Sequence, residues 1–247
     1  PVTGFAGGSD GKKTMLYVAV ECRAEAGKLT GGIYVSEDGG GTWRAIMNPE
    51  LNLQTSKSSE WANGDIAQYR FLLTTDRSPL RVYAYCPGTS YFPPNHNTIY
   101  RSDDGGKKWK AIFFSDPRFK DQYNMEDDRV TLAIGQRYQS EPYSVAINPA
   151  DPDVLMMTTD MSVFTTRDGG GSWQVSQSAL TLQQGKNKAW ACNGLVVTTV
   201  WNYYVDPFDP VRRYICYTDI GFARSLDAGR SWLWEGHRLP WRNTTYE

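Results

Sequence analysis

The chain has 247 residues, 40% of them hydrophobic, and its 26 basic residues nearly balance 27 acidic residues, which gives a formal net charge of −1. This length can form one large all-β domain or two small ones, each with a packed core. The near-neutral charge offers no basic surface to a nucleic-acid backbone, and no apolar run approaches the roughly 20 residues of a membrane helix. Nucleic-acid binding and membrane insertion are therefore not expected.

Taken in chain order, the predicted elements form four groups, each a strand, a turn and a strand followed by an octapeptide. The strand-turn-strand segments are residues 8–17, 74–83, 144–155 and 204–214. The octapeptides, here called boxes one to four, are Ser36–Trp43, Ser102–Trp109, Thr166–Trp173 and Ser225–Trp232. Their tryptophans are 66, 64 and 59 residues apart, which suits one four-stranded sheet with long loops per repeat.

Each box has the composition of a tight turn between two strands. An Asp side chain can accept hydrogen bonds from the amides of the turn, and the Gly that follows it by two residues permits a positive φ. The aspartates are Asp38, Asp104, Asp168 and Asp227, and these glycines are Gly40, Gly106, Gly170 and Gly229. The position between them holds Ala228 in box four, so the steric demand is predicted to fall on the second glycine. The tryptophans Trp43, Trp109, Trp173 and Trp232 are predicted to pack between neighbouring sheets.

The repeats predict an all-β chain of four-stranded antiparallel blades, with strands A to D and a box joining C to D. The blades are placed at about residues 1–47, 66–113, 143–177 and 201–234, separated by long loops. In the third blade the strands are predicted at Tyr143–Asn148, Val154–Thr158, Val163–Arg167 and Trp173–Ser176. No segment shows a long helical period, so almost no helix is expected.

The boxes resemble those of the Asp-box, or BNR-repeat, β-propellers, a family that includes sialidases, xyloglucanases, sortilin-type receptors and photosystem assembly factors. The resemblance implies a β-propeller. Propellers of this family usually close with six or more blades, so the four blades are expected to form an arc completed by the remaining blades of a parent protein. A closed ring of four blades is the alternative.

The long loops are predicted to lie on the face opposite the boxes and to carry the functional site. They are rich in aromatic residues, and flat aromatic rings beside carboxylates suit the apolar face and hydroxyl rim of a sugar. The predicted substrate platform is Trp61, Tyr91, Trp190 and Trp201. The alternative is that these rings pack the loops against the sheets.

A candidate acid lies in Tyr217–Phe222, which resembles the Thr-Asp-Ile-Gly-Gly segment of family-seventy-four xyloglucanases, although Phe222 replaces the second Gly. The resemblance implies a catalytic role for Asp219. Inverting hydrolysis needs a second carboxyl group roughly 6.5–9.5 Å away, and Asp160 or Glu21, aligned with Asp219 at the ends of their own B strands, could supply it. Family members take that partner from another propeller domain. The alternative is that a Thr-Asp step merely terminates strand B, as an Asp bonded to local amides does.

These observations favour a carbohydrate-active propeller, either an inverting glycoside hydrolase or a glycan-binding module, that binds an oligo- or polysaccharide and is secreted or periplasmic. The alternatives are a non-catalytic propeller that docks a protein or peptide, and a purely structural repeat module. No cofactor or metal is expected, because the only histidines are His96 and His237 and no C-x-x-C pair occurs. The four cysteines, Cys22, Cys86, Cys192 and Cys216, are expected to be buried free thiols in preference to disulfides.

Overall fold

The computed structural model describes residues 1–26, 28–47, 68–86, 98–113, 124–126, 143–159, 162–184, 187–192, 199–218 and 221–234. These residues form 18 strands and no helix, and the strands make four sheets. None of the described residues therefore belongs to a helix long and apolar enough to span a bilayer. The predicted all-β class and blade architecture are confirmed.

The first two sheets follow the predicted pattern, with four strands each in sequence order. Sheet one contains β1 (Val2–Ser9), β2 (Thr14–Glu25), β3 (Lys28–Ser36) and β4 (Arg44–Ala45). Sheet two contains β5 (Phe71–Thr75), β6 (Ser78–Cys86), β7 (Thr98–Ser102) and β8 (Lys110–Ala111). In both sheets the box joins the third strand to the fourth.

The third sheet also has four strands in sequence order, and they lie where the sequence places them. The strands are β9 (Ser144–Asn148), β10 (Asp151–Thr158), β11 (Val163–Thr166) and β12 (Gln174–Val175). The turn between β9 and β10 contains the predicted Pro-bearing segment, and box three joins β11 to β12.

The fourth sheet has six strands, two more than predicted. They are β13 (Ser178–Gln184), β14 (Asn187–Cys192), β15 (Val200–Val205), β16 (Arg213–Tyr217), β17 (Phe222–Ser225) and β18 (Trp232–Trp234). Strands β15 to β18 are the predicted blade. The hairpin β13–β14, predicted as a connecting loop, extends the sheet because β14 pairs antiparallel with β18. It thereby satisfies the backbone groups of an outer edge strand.

The chain forms two compact units, and the first contains sheets one and two together with box three. Its bounds are Pro1–Met125, Gln139–Asp160 and Thr165–Trp173, and those of the second unit are Glu126–Tyr138, Met161–Phe164 and Gln174–Glu247. In the first unit, Tyr17, Ile33, Val82 and Trp109 are among the residues of a continuous apolar core. The second unit contains the six-stranded sheet.

Within the first unit, the tryptophans of boxes two and three each bond to the segment that follows the preceding sheet. The Trp109 indole N–H donates to the carbonyl oxygen of Ile46 at 3.1 Å, and that of Trp173 donates to the Ile112 carbonyl oxygen at 2.8 Å. Both rings are buried, with exposed fractions of 4% and 1%. Each acceptor lies three residues after the tryptophan of the preceding box, so at these two joints the box tryptophan is bonded to the segment that follows the preceding sheet.

At the same two joints, the second glycine of the box is required for two separate reasons, its backbone conformation and its close contact with an isoleucine. Gly106 and Gly170 have φ values of +86° and +92°. A Cβ atom at Gly106 would also lie 2.4 Å from Cδ1 of Ile46, and one at Gly170 would lie 2.5 Å from Cδ1 of Ile112. A side chain at either glycine would therefore be strained by its backbone and would collide with the isoleucine of the preceding sheet.

The first glycine position is also left-handed, so the prediction that it is free of steric demand is wrong. Gly39, Gly105 and Gly169 have φ values of +73°, +74° and +67°, and Ala228 adopts +60° at this position. An alanine in this region carries a backbone penalty of roughly 1 kcal/mol, which box four tolerates.

Replacement of Ala228 by glycine is expected to raise the free energy of unfolding of the second unit by about 0.5–1 kcal/mol, because glycine adopts a positive φ without strain. The measurement is a urea titration followed by circular dichroism. Ala223→Gly is the matched control, since Ala223 is buried in β17 and pairs with Ile215, and it should destabilise the protein. Equal loss of stability in both variants would contradict the prediction.

Candidate functional site

The aspartates of the boxes accept hydrogen bonds within their own turns, and the same hydrogen bonds recur in all four boxes. The Ser or Thr hydroxyl that opens the box donates to Oδ1 of the Asp at 2.7–2.8 Å and accepts the N–H of the second Gly at 2.8–2.9 Å. The amide four residues after the Asp donates to the same Oδ1 at 2.8–2.9 Å. These carboxylates are consumed by their own turns and are not available for catalysis.

Electrostatics support the same assignment. Hydrogen bonds from the hydroxyl and amide of Thr42 and from the Ser36 hydroxyl hold the pKa of Asp38 well below its ordinary value. Burial alone would raise the pKa of Asp168, but hydrogen bonds from the Ser172 amide and the Thr166 hydroxyl outweigh it and lower that pKa to about 2. The pKa values of Asp104 and Asp227 are lowered as well. Ionised acceptors of this kind cannot act as general acids near neutral pH.

Glu21 does not lie at the end of a strand, contrary to the alignment predicted from the sequence. Strand β2 continues to Glu25, and Glu21 lies at a register irregularity between Val20 and Arg23. The bulge packs closely on β3, since a Cβ atom at Gly31 would lie 2.2 Å from the Glu21 carbonyl oxygen. The Glu21 side chain is exposed on the surface.

The register also separates Glu21 from the other two predicted acids. Ala19 pairs with Ile33 in sheet one, and Cys216 pairs with Phe222 in sheet four. Ile33 and Phe222 each lie three residues before the Ser that opens their box, so their partners Ala19 and Cys216 hold the same place in the two sheets. Glu21 and Thr218 each follow two residues later. Glu21 therefore corresponds to Thr218 and not to Asp219. A shift of one residue along a strand reverses the face to which a side chain points, so the predicted equivalence is wrong.

Asp160 and Asp219 lie outside the described residues, but the ends of their connections are described. Both belong to four-residue connections between the second and third strands of a blade, residues 159–162 and 218–221. In the fourth sheet the Tyr217 N–H donates to the Gly221 carbonyl oxygen at 2.8 Å, which closes the connection, and Gly221 has a φ of +74°. The Thr218 amide and hydroxyl both donate to the Thr199 carbonyl oxygen, at 3.0 and 3.1 Å. The backbone at the two ends of the Asp219 segment is thus firmly held.

Of the four residues of the predicted aromatic platform, the structure describes two, and only one of these is exposed. Trp61 and Tyr91 lie outside the described residues. Trp190 lies in β14, opposite Trp232 of β18, and only 5% of its surface is exposed. It belongs to the packing of the extended fourth sheet, so its predicted role as a sugar platform on a loop is a misassignment that follows from the unpredicted hairpin.

Trp201 is the one platform residue in the described part of the chain that presents its ring to solvent, with 49% of its surface exposed. It lies on β15 at a register irregularity, because Val200 pairs with Tyr217 while Asn202 pairs with Cys216. These partners immediately precede the connection that carries Asp219. The fourth sheet therefore places Trp201 at the end of the β15–β16 pair at which Thr218 follows β16.

Other exposed aromatic side chains continue along β15 from Trp201. Tyr203 and Tyr204 are 49% and 43% exposed, and Phe208, in the turn at the opposite end of the strand, is 95% exposed. Tyr203 is oriented by its neighbours, since its hydroxyl accepts a hydrogen bond from Arg213 at 3.1 Å and its ring meets that of Trp232 edge to face. β15 is an end strand of its sheet and carries more exposed apolar surface than a fully packed blade requires.

A group of charged residues that the sequence did not single out joins sheet two to β10 and box three. Arg81 contacts Asp103 at 2.7 Å and Asp153 at 2.5 Å, and Arg101 contacts Asp103 at 2.9 Å and the Gly169 carbonyl oxygen at 3.0 Å. Burial would raise the pKa of Asp103, but its contacts with Arg101 and Arg81 lower it. The only sequence signal was Arg101 standing two residues before Asp103.

This charged group borders a cleft of about 300 Å³ whose lining includes Arg101, Lys110, Asn124 and Gly169–Gly171. The Asn124 amide donates to the carbonyl oxygens of Ile112 and Gly170 at 2.8 and 3.0 Å, so the floor of the cleft is a structural joint. Both guanidinium groups are largely buried and already paired, with 18% and 12% of the Arg81 and Arg101 side chains exposed. The cleft offers few unengaged donors to a ligand.

Metal and thiol chemistry find little support in the described residues. Among them, no cluster of three or more His, Cys, Asp or Glu side chains could hold a metal ion. Cys22, Cys86 and Cys216 are buried free thiols, as expected, and Cys192 is a free thiol of intermediate exposure. Burial raises the pKa of Cys22 to about 11, so this thiol stays protonated and unreactive at neutral pH.

No protein-family model and no curated protein matches the sequence. Among solved structures, an ancestral GH74 enzyme matches 96% of this chain at 16% identity with a TM-score of 0.51, and this chain covers 29% of it. The GH74 xyloglucanase from Xanthomonas campestris matches 94% of the chain at 15% identity and a TM-score of 0.45, with 36% of that enzyme covered. YCF48 bound to a D1 peptide matches 94% at 12% identity and a TM-score of 0.35, with 65% covered. The chain thus spans about a third of the GH74 enzymes, and the match to the ancestral enzyme shows the propeller fold.

Proposed function

We propose that this protein binds an oligosaccharide at the end of the β15–β16 pair, where Trp201 and the segment that carries Asp219 lie together. The observation behind the proposal is the placement of Trp201. Its ring is half exposed and stands at a bulge opposite Tyr217 and Cys216, the residues that precede residues 218–221. Bulges redirect side chains and are frequent beside functional sites.

The chemistry of this site suits a neutral sugar better than a charged ligand. An exposed indole offers a flat apolar face to the C–H face of a pyranose, while the Thr218 hydroxyl and the Asp219 carboxylate offer polar partners to ring hydroxyls. The formal net charge of −1 gives no general attraction to anionic ligands. A polysaccharide ligand also suits a secreted or periplasmic protein.

The hydrolytic form of the proposal assigns Asp219 the role of the general acid. Asp160 is the proposed partner, because it holds the same place as Asp219 in the repeat by sequence, whereas Glu21 corresponds to Thr218. Inverting hydrolysis requires the two carboxyl groups to be roughly 6.5–9.5 Å apart with a water between them. A carboxylate supplied by another domain would meet the same requirement. Binding without hydrolysis is the expected behaviour where neither partner is within this distance.

The test compares binding and hydrolysis of xyloglucan oligosaccharides by the unmodified chain and three variants. Trp201→Ala is expected to weaken binding at least about tenfold, which corresponds to roughly 1.4 kcal/mol, in isothermal titration calorimetry. Asp219→Asn should keep most of the binding and, where the chain hydrolyses the sugar, lower the rate by about 10²–10⁴. Phe208→Ala is the matched control, because Phe208 is exposed at the other end of β15. Absence of binding, or equal affinity in all variants, would reject the proposal.

A second candidate function, docking of an extended peptide, is favoured by the exposed length of β15. This end strand has five of its six residues exposed, and a peptide could add to it as a further strand. Hydrogen exchange distinguishes the two functions. An added strand should slow amide exchange along the whole of β15, whereas a sugar stacked on Trp201 should slow it only near Val200 to Asn202.

A further inference from the structure

The first box tryptophan differs from the two that connect sheets in the first unit. Trp43 is 40% exposed, whereas Trp109 and Trp173 are 4% and 1% exposed. Its indole N–H donates to the carbonyl oxygen of Gly40 in its own box at 3.1 Å. In boxes two and three this donor bonds to the carbonyl oxygen of Ile46 and Ile112, which follow the preceding sheets.

The space beside the second glycine of box one, here called the glycine notch, is open as well. A Cβ atom at Gly40 would meet only Leu16 and Trp43, both at 3.8 Å, whereas the notches at Gly106 and Gly170 are filled by isoleucine atoms at 2.4 and 2.5 Å. Trp43 and Gly40 are therefore placed for a joint of the kind seen twice elsewhere, with nothing in the described part of the chain seated in it.

Leu16 and Phe5 extend this open notch into a continuous apolar face. A Cβ atom at Gly7 would lie 3.0 Å from Leu16 and 3.9 Å from Phe5, so these side chains share the side of sheet one on which Gly40 and Trp43 lie. Phe5 is 60% exposed. We call Phe5, Leu16, Gly40 and Trp43 the front face of sheet one. Met15 and Tyr17 alternate with Leu16 along β2 and are buried in the core shared with sheet two.

We propose that the front face of sheet one receives a further propeller blade, and that this blade carries a branched aliphatic residue three positions after its own box tryptophan. That residue fills the Gly40 notch, and its carbonyl accepts the Trp43 indole N–H, as Ile46 and Ile112 do at the two joints in the first unit. The argument is continuity with an interface that the molecule already uses twice. It goes beyond the proposed function and is independent of it.

The incoming blade has a second recognisable contact. The Tyr17 hydroxyl donates to the Pro79 carbonyl oxygen at 2.8 Å, and the Tyr83 hydroxyl donates to the Pro152 carbonyl oxygen at 2.6 Å. Both hydroxyls lie on the second strand of one sheet and donate to the second residue of the second strand of the next sheet. Counted back by the 66-residue interval of the first two box tryptophans, Pro79 corresponds to Lys13, whose carbonyl oxygen also accepts the Asp10 N–H at 3.3 Å. A tyrosine on the second strand of the incoming blade donates to it.

The four blades of this chain do not themselves provide the required residue to a second copy. Ile46 and Ile112 are already seated in the notches of Gly106 and Gly170. The corresponding residues after Trp173 and Trp232 are Ser176 and Glu235, neither of which is a branched aliphatic residue. The occupant is therefore a different blade of the same repeat type, and association of identical chains through this face is not expected.

The test uses the full chain extended at its N-terminus by a duplicate of residues 1–66, which preserves the 66-residue spacing between the first two box tryptophans. The duplicate carries Trp43→Phe so that oxidation of the original Trp43 can be followed alone by mass spectrometry after hydroxyl-radical footprinting. Ile46 of the duplicate is then placed to fill the original Gly40 notch. In the matched control, the duplicate carries Ile46→Ser in addition.

In the unextended chain, Trp43 is expected to oxidise about tenfold faster than Trp173, because its ring is far more exposed. In the extended chain, oxidation of Trp43 should slow to the rate of Trp109, and Ile46→Ser in the duplicate should restore fast oxidation. Gly40→Ala provides a second measurement, since it should lower the urea midpoint more in the extended chain than in the unextended one. Slow oxidation of Trp43 in the unextended chain, or protection that is indifferent to Ile46→Ser, would overturn the proposal. So would an unchanged effect of Gly40→Ala.

Discussion

Replacement of Gly106 by alanine is expected to lower the free energy of unfolding of the first unit by about 3 kcal/mol. Roughly 1 kcal/mol comes from an alanine held at the φ of +86°. The rest comes from overpacking, because the new Cβ atom would lie 2.4 Å from Cδ1 and 2.9 Å from Cβ of Ile46. Ile46 cannot withdraw freely, since its amide is bonded to the Ile33 carbonyl oxygen at 2.9 Å and its own carbonyl accepts the Trp109 indole.

Gly40→Ala separates the two causes, because Gly40 has a φ of +95° but a Cβ atom at this position would have no neighbour closer than 3.8 Å. This variant should cost only about 1 kcal/mol. Urea titrations followed by tryptophan fluorescence give both values. Gly106→Ala should also cost less in an Ile46→Ala background than in the unmodified chain, because the shorter side chain removes Cδ1 from the collision. Equal losses for Gly106→Ala and Gly40→Ala would show that packing against Ile46 contributes nothing.

The fold was accessible from the sequence because each box is a local structure. Asp38, Ser36 and Gly40 lie within five residues of one another, and their hydrogen bonds close a turn that depends on no distant contact. A pattern of this kind can be recognised in a linear sequence, and its repetition every 59–66 residues implies repeated sheets. In the third blade the predicted strand ends lie within one residue of those observed, except that the second strand begins at Asp151 and not at Val154.

The elements that the sequence did not reveal depend on contacts between distant segments. The hairpin β13–β14 is specified by its pairing with β18, about 40 residues further along the chain, and its own residues carry no turn signature as strong as that of a box. Trp190 was assigned to a loop for the same reason. The misalignment of Glu21 has a different origin, since the residue of β2 that matches Cys216 is defined by its pairing with β3, and this register cannot be read from the sequence of β2 alone.

The candidate site shows the same division between local and distant information. The Thr-Asp-Ile-Gly segment was found because it is contiguous, whereas the position of Trp201 opposite the last residues of β16 depends on the register of β15 against β16. Trp201 was one of several aromatic candidates in the sequence, and the pairing of Val200 with Tyr217 is what distinguishes it from Trp190. Aromatic content predicts a binding surface, but only strand register identifies which rings belong to it.

Truncation of Trp173 to alanine is expected to lower the free energy of unfolding of the first unit by about 3–5 kcal/mol, the usual cost of deleting a buried aromatic side chain. The ring is 1% exposed and meets Phe113 edge to face at a centroid distance of 5.7 Å. The variant also leaves the Ile112 carbonyl oxygen without the indole donor at 2.8 Å, although the Asn124 amide still donates to that oxygen. Trp173→Phe should therefore cost clearly less than the alanine variant, because it restores most of the buried apolar volume.

Trp43→Ala is the comparison that ties this cost to the joint between sheets and not to the box itself. Trp43 occupies the same place in an equivalent box, with the same Asp38 and Ser36 hydrogen bonds, but its ring is 40% exposed and seats no neighbouring sheet in the described part of the chain. Its removal should cost about 1 kcal/mol or less. Guanidinium titrations of Trp173→Ala, Trp173→Phe and Trp43→Ala measure the three changes in the free energy of unfolding. A loss for Trp43→Ala as large as that for Trp173→Ala would mean that the tryptophan stabilises its own turn, and that the contacts to Ile46 and Ile112 are incidental.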